Sequence, residues 1–546
     1  MVITHEPLKI EGQGISGGMA KGKLRFLKHR EISESDTGAP LSPEEELSRL
    51  ASAIEKAQEQ LSELYTNTAN SVGEKEAEIF RIHSMLLDDE EFKGAAENFI
   101  SQGMSAVEAV RRAGEAVAGM FRELGDDYLA GRAQDIKFIT ERLCRILTGN
   151  GEYEPDMGEE PFILVSDDLS PGETVKLDRR HLLGFVTFGG SSNSHTAILA
   201  RALGLPALIG TGKIDEVHDG ETAIIDAERG ELIISPGIDA LDRFAEEVKE
   251  KEAEEARLRS LIGRPTVTRN GRRIKLYANI GSPEESDVAY RNDAEGVGLM
   301  RSEFLYLSAS DYPDEETQFA AYREAVAGMH GRPVVIRTLD IGADKKADYF
   351  ALPEEENPAL GMRAIRLCLS RPEVFKTQLR AICRASAFGK VLIMLPMIVS
   401  VDEVRQAKRI FVEVRNELRY ECLDFDEDIR LGVMIETPAS AVMSEELARE
   451  VDFFSVGTND LIQYTLAADR QNPALAELCR DNLEPVMRLI EKAAEAAHAN
   501  GKWIGVCGEL AADLSLTERF VAMGIDELSV SPPAVLPLRE KILGCR

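Results

Sequence analysis

The sequence predicts a multidomain α/β chain: an α/β domain carrying an inserted all-helical domain, a linker helix, and a C-terminal (β/α)8 barrel. Three observations predict it. The chain has 546 residues, room for roughly three or four domains of ~150 residues. A stretch of helical periodicity, 43–148, interrupts a region of short β-like runs. Beyond residue 263, eight strand-like segments alternate with helical patterns, which fits a closed barrel better than an open doubly wound sheet. The predicted boundaries are 1–30 with 150–237 for the α/β domain, 31–149 for the helical insertion, 238–262 for the linker and 263–546 for the barrel.

Residues 1–30 read as short strands turned by Gly12, Gly14, Gly17 and Gly18. Ser42-Pro43-Glu44-Glu45 then forms a capping box with proline at the first helical position. Leu47, Leu50, Ala51, Ile54, Ala57, Leu61 and Leu64 follow at helical spacing. Further helical runs cover about 74–89, 90–102, 106–124 and 130–148, with Ser105 and Glu108 as a second capping box. Two helical hairpins account for this module. From 160 to 237 the pattern becomes Phe162–Val165, Leu183–Phe188, Ala207–Ile209, Thr222–Ile225 and Leu232–Ile234, separated by Gly, Pro and Asp. Residues 238–262 hold neither glycine nor proline; fully helical, they would span about 37 Å. A surface helix is the alternative to a linker there. The barrel strands are expected near 274–280, 296–300, 334–340, 391–398, 431–437, 453–457, 503–507 and 527–531.

Composition excludes several functions. The net charge is −31, which argues against binding nucleic-acid backbones and is compatible with a basic partner. Seven scattered cysteines with no CxxC pair argue against a disulfide framework or structural zinc and for a reducing, cytoplasmic setting. The first nine residues have no apolar signal core, and no stretch approaches ~18 uninterrupted apolar residues. Membrane insertion is therefore not expected.

The chemistry concentrates in two places. His195 lies in Gly189-Gly190-Ser191-Ser192-Asn193-Ser194-His195, followed by a helix-like apolar run. A loop at a helix start favours a phosphoryl group, and an imidazole is mostly neutral at pH 7 and nucleophilic. A histidine that merely caps the helix is the alternative. The second place is the C-terminal ends of the barrel strands, where polar side chains converge. Arg301, Arg337, Glu436, Asn459, Asp460, Arg470 and Cys507 fall there. Arginine forks match phosphate and carboxylate, two carboxylates suit Mg²⁺, and a thiol can donate a proton. Together they imply a small substrate with both phosphate and carboxylate. Any one alone could be a structural ion pair or a buried cysteine.

The motifs Gly-Val-Gly-Leu-Met-Arg-Ser-Glu-Phe-Leu (296–305), Arg-Thr-Leu-Asp-Ile-Gly-Ala-Asp-Lys (337–345), Glu-Asn-Pro-Ala-Leu-Gly-Met-Arg-Ala-Ile-Arg (356–366), Met-Ile-Glu-Thr-Pro (434–438), Gly-Thr-Asn-Asp-Leu-Ile-Gln-Tyr (457–464) and Cys-Gly-Glu (507–509) resemble those of enzyme I of the phosphoenolpyruvate:sugar phosphotransferase system, over essentially the full length. The resemblance implies a phosphohistidine α/β domain, a helical docking domain and a phosphoenolpyruvate-binding barrel that dimerises. It implies Mg²⁺ on Glu436 and Asp460, with Arg301, Arg337, Asn459 and Arg470 on the substrate, and Lys345 and Arg363 as further positive residues of the site. His195 would take the phosphoryl group and pass it to a histidine of a small phosphocarrier protein. Cys507 would protonate the enolate to give pyruvate. The stretch Glu74 to Glu91, with Met85 and Leu86, is the expected carrier contact, and the 238–262 helix the expected hinge.

One departure stands out. The family usually reads Gly-Gly-Arg-Thr-Ser-His, whereas this loop is one residue longer and lacks the arginine. That leaves open how the loop holds a phosphoryl group, and a non-catalytic regulatory paralogue is one alternative reading. Another is a related phosphoenolpyruvate enzyme such as a dikinase or synthase, which would need an ATP-grasp domain that no region supplies. The chain opens directly on its α/β pattern, which favours the sugar system over a nitrogen-regulatory paralogue.

Overall fold

The computed structural model describes residues 7–27, 41–71, 74–123, 127–149, 160–167, 181–189, 197, 200–201, 204–214, 217–307, 309, 311–342, 347–353 and 355–546. The chain divides into two compact units, Met1–Lys251 and Glu252–Arg546.

The first unit holds an eight-stranded sheet: β1 (Leu8–Glu11), β2 (Gln13–Ser16), β3 (Met19–Leu27), β4 (Phe162–Ser166), β5 (Leu182–Thr187), β6 (Ala207–Ile209), β7 (Thr222–Asp226) and β8 (Glu231–Ile234). Their spatial order is β1-β8-β7-β3-β4-β5-β6-β2. The β3–β4, β4–β5 and β5–β6 pairs are parallel, and the outer pairs are antiparallel. Strand β4 is wholly buried, so its alternation serves two cores. Ile163 and Val165 pack with Leu24, Val186 and Ile225. Phe162 and Leu164 pack with Phe185, Ala200 and Ala207 on the other face. His195 itself lies outside the described residues.

Between β3 and β4 come five helices, α1 (Pro43–Ser71), α2 (Glu74–Leu87), α3 (Glu90–Ser101), α4 (Ala106–Glu123) and α5 (Asp127–Thr148). The Ser42–Glu45 box closes reciprocally: Glu45 N–H donates to Ser42 Oγ (3.4 Å) and Ser42 N–H to Glu45 Oε2 (3.1 Å). At α4 Ser105 Oγ accepts from Glu108 N–H (3.4 Å). The Glu108 carboxylate pairs instead with Arg111 (2.8 Å) and Arg112 (2.7 Å). The α4 start is held from elsewhere. The Ala106 N–H donates to Glu46 Oε2 (3.0 Å), and Glu46 is fully buried. An apolar core that includes Leu50, Leu61, Phe80, Phe92, Val110 and Ile136 joins the helices.

Helix α6 (Ile238–Arg259) buries none of its residues. It ends at Arg259, three residues before the expected end.

The second unit is a closed parallel barrel of β9 (Lys275–Ile280), β10 (Val297–Met300), β11 (Val334–Arg337), β12 (Val391–Leu395), β13 (Arg430–Ile435), β14 (Phe453–Val456), β15 (Trp503–Val506) and β16 (Glu527–Val530). β16 pairs back onto β9, with Leu528 opposite Leu276. Branched residues facing outward, such as Ile336, Ile393, Val433 and Val456, pack under the helical ring. Inside lie Leu299, Val335, Leu392, Met394, Met434 and Phe453. Phe453 stacks on Trp503 at the strand starts, ring centroids 4.6 Å apart. Gly432 makes room, since a Cβ there would lie 2.4 Å from the Phe453 ring. The strands are shorter than the apolar runs suggested. Residues 338–340, 396–398 and 436–437 have already left the sheet, and of these Asp340 and Glu436 line its mouth.

Candidate active site at the barrel mouth

A cleft of about 910 Å³ opens at the C-terminal ends of the strands. Arg301, Arg337, Arg363, Glu436, Asn459, Asp460, Arg470 and Cys507 all line it. Six of the eight are placed by a strand end, while Arg363 stands at the N-cap of the helix Ala364–Ser370 and Arg470 follows the helix Thr458–Leu466. Arg301 follows β10, Arg337 closes β11, Glu436 follows β13 and Cys507 follows β15. Asn459 and Asp460 sit in the first turn of the helix Thr458–Leu466 after β14. Lys345 lies outside the described residues.

The cations fall into two groups. Arg337 and Arg363 are buried and paired. Arg337 bonds Glu303 and reaches Asp340 at 3.0 Å. Arg363 reaches the other oxygen of Asp340 at 2.9 Å, Asp460 at 3.5 Å and the Tyr464 hydroxyl at 3.1 Å. Burial alone would lower both guanidinium pKa values, but the carboxylates outweigh it and raise them, so both stay charged. Arg301 and Arg470 are exposed and have no ion-pair partner among the described residues. They offer free forks to an incoming anion. Asn459 is fixed on both sides of its amide. Its Nδ2 donates to Glu509 Oε1 at 2.7 Å, and its Oδ1 accepts from Glu509 N–H at 3.0 Å.

Glu436 is fully buried. Its Oε1 accepts from Met397 N–H at 2.6 Å, while its Oε2 has no partner among the described atoms. Burial, then the charges of Asp460 and Asp340, push its carboxyl up to about 8 against the pull of Arg337 and Arg363. An orphaned carboxylate oxygen beside a second carboxylate is what a bound cation would relieve. Among the described residues no group of three or more His, Cys, Asp or Glu side chains could hold a metal alone. Two carboxylates with positions left for substrate oxygens and water fit Mg²⁺. Cys507 is buried, and its thiol donates to the Val456 carbonyl at 3.5 Å. Burial pushes it up to about 12, so it is protonated at neutral pH.

Sequence reading had not assigned Glu303, Asp340 or Tyr464, which hold the arginines. Glu303 and Asp340 also sit at strand ends, and that placement was the available signal.

Three domain families match the chain: the phosphoenolpyruvate-utilising enzyme, phosphoenolpyruvate-binding domain over residues 255–545, the N-terminal domain over 11–132 and the mobile domain over 158–230. The chain is 40% identical over 536 residues to the phosphoenolpyruvate-protein phosphotransferase of Geobacillus stearothermophilus, covering 98% of this chain and 92% of that one. It is 39% identical to the Bacillus subtilis protein of the same name, covering 98% and 94%. The Enterococcus faecalis protein is 40% identical, with 97% and 93% covered. The chain belongs to the phosphoenolpyruvate-protein phosphotransferase family of phosphoenolpyruvate-utilising enzymes.

Proposed function

We propose that this enzyme transfers the phosphoryl group of phosphoenolpyruvate to its own His195 and then to a histidine of a small phosphocarrier protein, releasing pyruvate at the first step of sugar uptake. The observation that carries the reading is one cleft joining two free arginines, two paired arginines, two carboxylates and a protonated thiol. Arg301 and Arg470, with Arg337, Arg363, Asn459 and Lys345, bind the phosphate and carboxylate of the substrate. Glu436 and Asp460 hold Mg²⁺, which when bound neutralises charge on the transferring group and the enolate oxygen. The phosphorus–oxygen bond breaks as a phosphorus–nitrogen bond to His195 forms. Cys507 then gives its proton to C3 of the enolate.

The finer assignments belong to the same reading. The exposed Met85 near the end of α2 is the carrier contact on the 31–149 domain. Helix α6 is the hinge by which the histidine domain, 1–30 with 150–237, alternates between substrate and carrier. The 263–546 barrel dimerises, a role supported by the exposed apolar side chains Phe388, Val412 and Tyr420. The location is cytoplasmic; among the described residues no helix is long and apolar enough to cross a membrane. Replacing the thiol tests the chemistry. Cys507→Ala slows pyruvate formation about 100-fold while the affinity for phosphoenolpyruvate, read by titration, is retained. Unchanged turnover removes Cys507 as the acid.

A further inference from the structure

Cys507 stands one residue past the point where its strand parts from a neighbour. The β15–β16 pairing sets Gly505 opposite Glu527 and Val506 opposite Leu528, and ends there. On the other side Cys507 stays attached to β14. Its N–H donates to the Val456 carbonyl at 3.0 Å, and its thiol donates to the same oxygen at 3.5 Å. What holds it on the β16 side is a side chain from β9. Asn279 Nδ2 donates to the Cys507 carbonyl at 2.9 Å and to the Ser529 carbonyl at 3.1 Å. Its Oδ1 accepts from the Ser529 hydroxyl at 2.7 Å. The reverse orientation of the amide would set its oxygen against two carbonyl oxygens with no proton between them, so the pattern fixes which way it points.

The placement follows from the strands. Leu276, Ala278 and Ile280 pack outward under the helical ring, so Asn279 faces the barrel interior. Cys507 faces it too, in the cluster that holds Leu299 and Met434. Ser529 is fully buried. A Cβ at Gly298 on β10 would lie 2.6 Å from its hydroxyl oxygen, so the second glycine of the 296–305 motif leaves room for the group that orients the amide. The four residues lie on β10, β9, β16 and β15, which are consecutive around the closed barrel.

We propose that Asn279 is a positioning residue for the acid: its amide fixes the peptide of Cys507, and with it the direction in which the thiol meets C3 of the enolate. The proposal rests on the reading of Cys507 as the acid. In that step the S–H bond breaks, the C3–H bond forms and a thiolate is left; Asn279 neither gives nor takes a proton. Proton transfer needs its heavy atoms within hydrogen-bond reach, and a misplacement of about 1 Å can cost about 100-fold. Held from β14 alone, the peptide after Val506 is free to turn about the Val456 contacts and carry the sulfur with it. The Asn279 side chain bonds only Cys507 and Ser529 among the described residues. None of the arginines or carboxylates of the cleft depends on it directly, so its loss falls on the proton step and spares binding. A residue that merely stitched the barrel together would change stability and leave that step alone.

Pyruvate formation by the full-length protein with phosphoenolpyruvate, Mg²⁺ and a histidine phosphocarrier tests this. Asn279→Ala should lower kcat at least about tenfold with KM for phosphoenolpyruvate unchanged. Because the amide acts through the thiol, the two losses should not add: Asn279→Ala combined with Cys507→Ala should be no slower than Cys507→Ala. Ser529→Ala, which leaves the amide oxygen unheld, should lower kcat in the same direction by less, and carries the test if Asn279→Ala fails to fold. Wild-type kcat in the folded variant, a loss that falls on KM instead, or a double variant slowed by the product of the two single losses overturns the assignment. Wild-type turnover by Cys507→Ala would remove the acid itself, and with it the reading on which the proposal rests.

Discussion

Arg337 stays charged in a dry site because Glu303 and Asp340 meet both ends of its fork. Breaking a buried pair leaves an uncompensated charge. Glu303→Gln therefore leaves Arg337 on Asp340 alone and frees its fork from the position the substrate needs. We expect KM for phosphoenolpyruvate to rise about tenfold, about 1.4 kcal/mol of binding, with kcat changed less; an unchanged KM would show that Glu303 does not position Arg337. That the arginines, the two carboxylates and the thiol meet in one cleft was legible because the barrel rule assigns strand-end polar residues to one site. Glu303 was not assigned, although it stands three residues past the end of β10, because an acidic residue in the first turn of a helix reads as an ordinary solvated one. Only the tertiary structure brings it to Arg337.

At the scale of elements, helical and strand periodicity located α1 to α5 and all eight barrel strands, because each packs one face or is buried on both. What periodicity does not encode is spatial order. β2 pairs with β6 and β1 with β8, long-range choices that no local pattern records. Caps show the same limit. The Ser42 box was local and readable, whereas Glu46, which has the spacing of a solvated first-turn acid, is buried and holds the α4 start through Ala106 N–H. It also pairs with Arg49 at 2.9 Å. Glu46→Ala should destabilise the junction of α1 and α4 by about 2 kcal/mol. Hydrogen exchange at the α4 start would then accelerate roughly 30-fold. Unchanged exchange would mean that water replaces the carboxylate there at no cost.

For the whole molecule, the sequence division into an α/β domain, helical insertion, linker and barrel is an organisation suited to a phosphoryl relay. In the proposed reading the barrel would collect phosphate, carboxylate, metal and acid at one mouth, with the nucleophile carried elsewhere in the chain. The altered loop before His195 makes the transfer itself the decisive point, since the arginine usual in the family is missing there. Backbone N–H groups and the hydroxyls of Ser191, Ser192 and Ser194 are what remain to hold the group. The most direct measurement is the intact mass of the protein after incubation with phosphoenolpyruvate and Mg²⁺, and again after adding a histidine phosphocarrier, with His195→Ala alongside. The account predicts one phosphoryl adduct on the wild type, lost to the carrier, and none on His195→Ala. No adduct on a wild type that binds phosphoenolpyruvate, or an adduct that persists in His195→Ala, would contradict it.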